Sequence, residues 1–292
     1  MVVRFIVNNV VIFSLIFSIF FSFMCCLVDS LLGFWVFLEL GSLSLIPSFF
    51  FNLSYSYYNF YNSILCYVVM SGLSSVFLVL ELWLSGLYYF VFLGFSIKFG
   101  LFPFMFWVYR VFAVSNWVFI FLLSVVMKFP VLFFCFLYEV SNVNFIFVDC
   151  FFTIFVCCFL VWFFSFNWNY IWCHISLSSV STLVVACFSS TADICFFIYW
   201  YYFLWSSLTI LYLCMLSDVS DFSCYHFWGF CFLLLVTPVS VPLFYKLSVC
   251  VGIIYSSIYV LLVWIIYSFS EQFFLFKLAS DYLYSCVFNS WL

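Results

Sequence analysis

The sequence predicts an all-α polytopic membrane protein of about ten transmembrane helices. Three observations carry this. First, 70% of the 292 residues are hydrophobic and 5% are charged, whereas a soluble globular domain carries about 25% charged residues. Second, apolar runs of about 20 residues, enough to cross the hydrocarbon core as a helix, follow one another along the chain. Third, short polar clusters separate the runs: Asp29-Ser30, NLSYSYYN (52–59), Glu81 to Gly86, SNVN (141–144), NWN (167–169), Asp193 and DVSD (218–221). Backbone groups in lipid must bond internally, so the runs are helices; a barrel would show shorter alternating segments.

Taken in order, the first span covers 5–27. It follows Arg4 and has no small-residue cleavage site, so it is expected to stay rather than be removed as a signal. The second, 31–51, contains Glu39, and the third covers 60–80. The fourth, 87–107, holds Lys98 among Gly94, Gly100 and Pro103, and the fifth, 116–138, holds Lys128. The sixth to eighth cover 144–165, 170–189 and 194–216. The ninth, 226–246, has Pro238 and Pro242 ahead of Lys246; the tenth covers 248–269, and a shorter segment follows at 273–288. No long hydrophilic stretch occurs, so 1–292 reads as a single transmembrane domain.

Proline removes a backbone donor and breaks the helical ladder. Gly100 with Pro103, and Pro238 with Pro242, therefore predict interrupted helices in the fourth and ninth spans. These lie five spans apart. Two five-span halves, about 1–138 and 144–269, with an interrupted helix in matching positions point to transporter-type repeats, inverted because five is odd. Counting connectors alternately puts Arg4, Arg110 and Lys277 on one face, and Asp29, Glu81, Glu139, Asp149 and Asp193 on the other. The positive-inside rule then places the N-terminus on the inner side.

Charges inside the spans are the functional signal. A lysine near the middle of a span costs roughly 2.5–3.5 kcal/mol on insertion scales, so something must offset it. Glu39, Lys98, Lys128 and Lys246 form an unbalanced set: one carboxylate for three lysines. Burial disfavours the charged form of a lysine and a nearby carboxylate favours it. A lysine held between those effects can gain and lose a proton, as a relay requires. The bland alternatives are a snorkelling Lys246 between two spans, and a Glu39 that only anchors one helix to another. His174 and His226 fit structural or interface roles, with His174 a possible relay group.

Composition excludes other classes. Six Lys and Arg against ten Asp and Glu rule out a basic nucleic-acid binder. Two bis-histidine haems need four histidines, and the chain has two. Its 15 cysteines are scattered through apolar runs without a CxxC pair, as small buried hydrophobes are. The 50 phenylalanines and scarce alanines match the codon bias of an organelle genome.

Five segments, in order, carry a resemblance. KFGLFPFMFW (98–107) resembles KLGLAPFHFWVPEV, a motif of subunit 2 of NADH dehydrogenase, respiratory complex I, as encoded in mitochondria. FWVFLELGSLSLIP (34–47), MKFPVL (127–132), HISLSSVSTL (174–183) and TPVSVPLFYK (237–246) are similar to further motifs of that family. Together they cover about a quarter of the chain, and all four buried charges fall on motif positions.

The resemblance implies a proton-translocating, antiporter-like subunit of a diverged invertebrate type. Glu39 and Lys98 would be its modulating pair, Lys128 its central relay and Lys246 the residue at the outlet. Its partners would be the neighbouring antiporter-like and small membrane subunits of complex I, in the mitochondrial inner membrane with the N-terminus on the matrix side. NADH, FMN, Fe–S clusters and ubiquinone would be bound by other subunits and no cofactor by this chain. The sequence departs from the family where Met105 replaces a frequent histidine and Tyr109-Arg110 replaces Pro-Glu. A stand-alone ion-coupled secondary transporter fits the interrupted helices equally well.

Overall fold

A computed structural model describes residues 2–51, 57–83, 88–137, 143–218 and 224–280. These residues are mostly helical and contain no strand. The helices are α1 (Val2–Met24), α2 (Leu31–Leu45), α3 (Tyr57–Trp83), α4 (Tyr88–Phe99), α5 (Phe106–Phe112), α6 (Trp117–Ser124), α7 (Phe129–Leu137), α8 (Val143–Phe163), α9 (Trp168–Ser189), α10 (Ala192–Asp218), α11 (Cys224–Leu233), α12 (Val241–Ile253) and α13 (Ile258–Leu278).

Seven of the helical runs are long and apolar enough to cross a bilayer whole. The remaining three spans are each split, into α4 and α5, α6 and α7, and α11 and α12. The described residues thus make ten spans. The breaks expected at Gly100 with Pro103 and at Pro238 are present, with Pro242 in the first turn of α12. A third break falls at Val125, where a 3-10 turn (Val126–Lys128) joins α6 to α7.

One boundary is corrected. The ninth span does not end at 246, nor does the tenth start at 248. Beyond the expected break at Pro238, α12 carries the ninth span on to Ile253. Ser257, in extended backbone, then starts α13, which runs through Glu271 to Leu278. The first residues of the segment expected at 273–288 therefore continue α13, and those beyond 280 lie outside the described residues. Lys246 sits within a helix, not between two.

Lipid offers no hydrophobic drive for helices to associate, so close packing and interhelical polar contacts hold such a bundle together. The outer surface is correspondingly apolar, with Phe20, Leu65, Phe159, Leu211 and Phe273 exposed. The neighbour relations of one half recur in the other. α1 packs on α2 as α8 packs on α9, and α3 on α4 as α10 packs on α12. α9 stands at the centre, against α5, α7, α8, α10 and α12. Its span is 94% buried where the other six unbroken spans reach at most 44%.

Burial of α9 needs its hydroxyls to be satisfied. Five of them bond their own helix three residues back: Ser176 to the Cys173 carbonyl (2.9 Å), Ser178 to Ile175 (3.0 Å), Ser179 to Ser176 (2.7 Å), Ser181 to Ser178 (2.8 Å) and Thr182 to Ser179 (3.1 Å). The helix thereby places a file of hydroxyl oxygens, each keeping acceptor capacity, in the middle of an apolar protein.

Candidate functional site: a line of buried charges

The fourth span breaks after α4, and Lys98 stands in the last turn before the break. Gly100 adopts φ +70°, and a Cβ there would run into the side chain of Val108. The break frees backbone carbonyls, and the indole N–H of Trp107 donates to that of Ile97 (2.8 Å). Lys98 Nζ donates to Glu39 Oε1 on α2 at 2.6 Å. Ser42 donates to the other carboxylate oxygen at 3.3 Å, and Tyr67 fixes the Ser42 carbonyl at 2.9 Å. The expected Glu39–Lys98 pairing is therefore present, with Lys98 buried and Glu39 partly so.

Lys128 is placed differently. It is 2% exposed and has no carboxylate partner among the described residues. Its ammonium donates to the Ser176 carbonyl (2.7 Å), the Ser179 hydroxyl (2.6 Å) and the Tyr202 hydroxyl (2.7 Å). Three N–H donors thus meet three neutral acceptors. The break at Val125 contributes to this cage. Tyr202 donates to the freed carbonyl of Ser124 (2.9 Å) and Tyr199 to that of Val125 (3.2 Å), so the broken backbone holds the phenol that holds the lysine.

At the far end Lys246 Nζ lies 3.1 Å from Glu271 Oε1 on α13, with side chains 14% and 8% exposed. This corrects two expectations. Lys246 is paired inside the bundle and does not snorkel. Among the described residues, two carboxylates, not one, pair with members of the set of three lysines. Glu271 was missed because ending the tenth span at 269 put SEQ (270–272) in a connector. A carboxylate flanked on both sides by apolar runs was the available signal.

Two cavities join these groups. One, of about 40 Å³, is lined by Lys98 and Lys128 with Ser42, Tyr67, Trp107 and Ser176; it has room for about three waters. The second, of about 20 Å³, is lined by Ser179, Thr182, Tyr245, Lys246, Tyr267 and Glu271. Ser179 faces this cavity and bonds Lys128, so it connects the two. The order is Glu39, Lys98, cavity, Lys128, Ser179, cavity, Lys246, Glu271.

The remaining expected groups lie beside this line. His174 is 1% exposed; its Nδ1 is 2.7 Å from the Tyr109 hydroxyl, which also meets Cys157 Sγ at 3.9 Å. His174 lines neither cavity. Met105 is fully buried and offers no proton-carrying atom. Arg110 and Lys277 are exposed, as are Asp29 and Asp193. No group of His, Cys, Asp and Glu among the described residues could hold a metal ion.

No family model and no curated protein sequence matches the chain. Among solved structures, it is similar to a chain of respiratory complex I from Thermus thermophilus, determined with bound aureothin. The TM-score is 0.74 at 14% sequence identity, over 90% of this chain and 68% of that one. At that identity the likeness is one of fold: an all-helical, polytopic membrane architecture.

Proposed function

We propose that this chain is an antiporter-like membrane-arm subunit of respiratory complex I, corresponding to its subunit 2, that moves protons during NADH:ubiquinone reduction. The observation that carries the reading is the line of three buried lysines joined by two cavities. A static scaffold has no use for lysines so placed, because each costs several kcal/mol to insert. The likeness in fold to a complex I chain and the five family-like segments support the same assignment.

In this reading Glu39 and Lys98 form the modulating pair. A unit charge moved to within 4 Å of another changes its energy by about 4 kcal/mol at an effective dielectric constant of about 20. Opening or closing the pair therefore changes how strongly the adjoining cavity attracts a proton. Lys128, held by neutral oxygens, is the relay. It takes a proton through the first cavity and yields it by way of Ser179 toward Lys246. The chain performs no redox step; NADH, FMN, Fe–S clusters and ubiquinone belong to other subunits. It sits in the mitochondrial inner membrane, N-terminus on the matrix side, against other membrane subunits. The interrupted spans around buried charges equally fit a self-contained ion-coupled transporter.

One experiment separates the two readings. Detergent-solubilised mitochondrial membranes are resolved on a native gel, stained for NADH oxidation and searched by mass spectrometry for LASDYLYSCVFNSWL (278–292). Presence in the large NADH-oxidising band is expected. Migration alone at small size overturns the complex I assignment and leaves the transporter.

A further inference from the structure

The Lys246–Glu271 pair is tied to the break in its own span. α11 ends at Leu233 and α12 begins at Val241, so the intervening backbone loses its helical partners. In lipid such groups must be satisfied by other protein groups or by water. Trp205 donates to the Leu233 carbonyl (2.7 Å) and Ser240 accepts from the Thr237 N–H (2.9 Å); between them, Gln272, the single glutamine of the chain, serves two more backbone groups. Its Oε1 accepts from the Val236 N–H (2.9 Å) and its Nε2 donates to the Leu234 carbonyl (3.3 Å). The same Nε2 lies 3.2 Å from Glu271 Oε1, the oxygen that meets Lys246. One amide therefore touches both the broken backbone and the carboxylate.

Glu271 has few other groups to answer to. Besides Lys246, the ionisable groups lining its cavity are the phenols of Tyr245 and Tyr267. α9 brings Ser178, Ser179 and Thr182, and α10 brings Trp205. Lys246 also reaches the Ser268 carbonyl, at 3.5 Å. Glu271 is thus the carboxylate that faces Lys246 among the described residues.

We propose that Glu271 is a further residue of the proton line, and that Gln272 couples its charge balance to the geometry of the broken ninth span. This rests on the proton-translocating reading above. With Lys246 protonated the pair is neutral overall. When the proton passes onward, the neutral amine leaves Glu271 as an unpaired buried carboxylate. That anion draws the next proton from the Lys128 side through Ser179 and restores the ammonium. Meanwhile the carboxylate, released from Lys246, pulls on the Gln272 amide and so on the Leu234 and Val236 backbone. Proton loss and movement of the break become one event.

The test uses the assembled complex in proteoliposomes, reading protons moved per NADH oxidised across pH. Glu271→Gln is expected to lower that ratio by this chain's share, the proton step through it slowing about 10²-fold or more as on loss of an acid–base group. Glu271→Asp is expected to restore most of it with a displaced pH profile. Gln272→Met, similar in shape and without the amide, is expected to lower it while leaving Glu271 in place. Where Glu271→Gln fails to assemble, Lys246→Gln with Glu271→Gln removes the charge imbalance, and a normal ratio there overturns the proposal. Lys128→Ala is measured alongside. A normal ratio and pH profile in Glu271→Gln, with Lys128→Ala inactive, overturns the Glu271 role alone; normal pumping in both overturns the proton-line reading itself. A normal ratio in Gln272→Met overturns the coupling to the break.

Discussion

Ser179 Oγ stands 2.6 Å from Lys128 Nζ and lines the cavity that contains Lys246 and Glu271. One hydroxyl thus touches the central lysine and opens toward the terminal pair. Ser179→Ala removes that link while Lys128 keeps Ser176 and Tyr202. We expect slower proton movement with little loss of stability, about 0.6 kcal/mol, as interhelical hydrogen bonds in membranes average. Proton flux in proteoliposomes, set beside a detergent melting curve, checks both.

Glu39→Gln leaves the Lys98 ammonium buried with a neutral partner. Breaking one side of a buried ion pair costs about 3–5 kcal/mol. We therefore expect a lower melting temperature together with lost pumping. In Glu39→Gln with Lys98→Gln the stability should recover and the pumping should not. Recovery of pumping in that double variant would count against a modulating role for the pair.

Lys128→Ala should behave differently, because its cage survives without it. Ser179 still bonds the Ser176 carbonyl and Tyr202 still bonds that of Ser124. The expected result is normal assembly with abolished pumping, read from native gel band intensity and proton flux. Lys128→Arg should not rescue, since a guanidinium keeps its proton at any working pH. Pumping at the normal level in either variant would remove Lys128 from the pathway.

Gly100 is required by geometry. Its φ of +70° costs an L-residue about 1–2 kcal/mol, and a Cβ would also collide with Val108. Gly100→Ala should lower thermal stability by at least that much and displace the break beside Lys98. Gly72→Ala is the control: nothing lies within 4 Å of its would-be Cβ, and α3 gains helix propensity of nearly 1 kcal/mol. Melting curves of the two variants should move in opposite directions.

His174 is held to Tyr109 and faces neither cavity. His174→Gln, which keeps a polar side chain, should leave the proton-to-NADH ratio unchanged. A large drop in that ratio without loss of assembly would make His174 a relay group after all.

Much of this site was legible in sequence because a charge in an apolar run is conspicuous. Glu39, Lys98 and Lys128 stand out against residues such as Phe95, Leu38 and Leu132, and glycine and proline marked two of the three breaks. The third break, at Val125, has Pro130 in the first turn of α7 as its sequence signal, and tertiary hydrogen bonds from Tyr199 and Tyr202 hold the freed carbonyls. The Lys246–Glu271 pair escaped for a different reason. In a soluble protein the alternation of polar and apolar faces fixes where a helix begins and which way it turns. Here lipid-facing and core-facing positions are both apolar, so that periodicity is nearly absent and the ends of the ninth and tenth spans were placed too early.

By itself the sequence determined the class of molecule, its succession of about ten apolar spans, and several of the residues that are costly to bury. Those follow from local chemistry: hydropathy, chain length against bilayer thickness, and the missing proline N–H. Only the tertiary structure decided that Lys98 meets Glu39, that Lys246 meets Glu271, that Lys128 meets none of the carboxylates described, and that α9 lays its hydroxyls between them. Partners such as Lys128 and Tyr202, 74 residues apart, are brought together by helix packing. Packing depends on the shapes of all the spans at once, which no single stretch of sequence records.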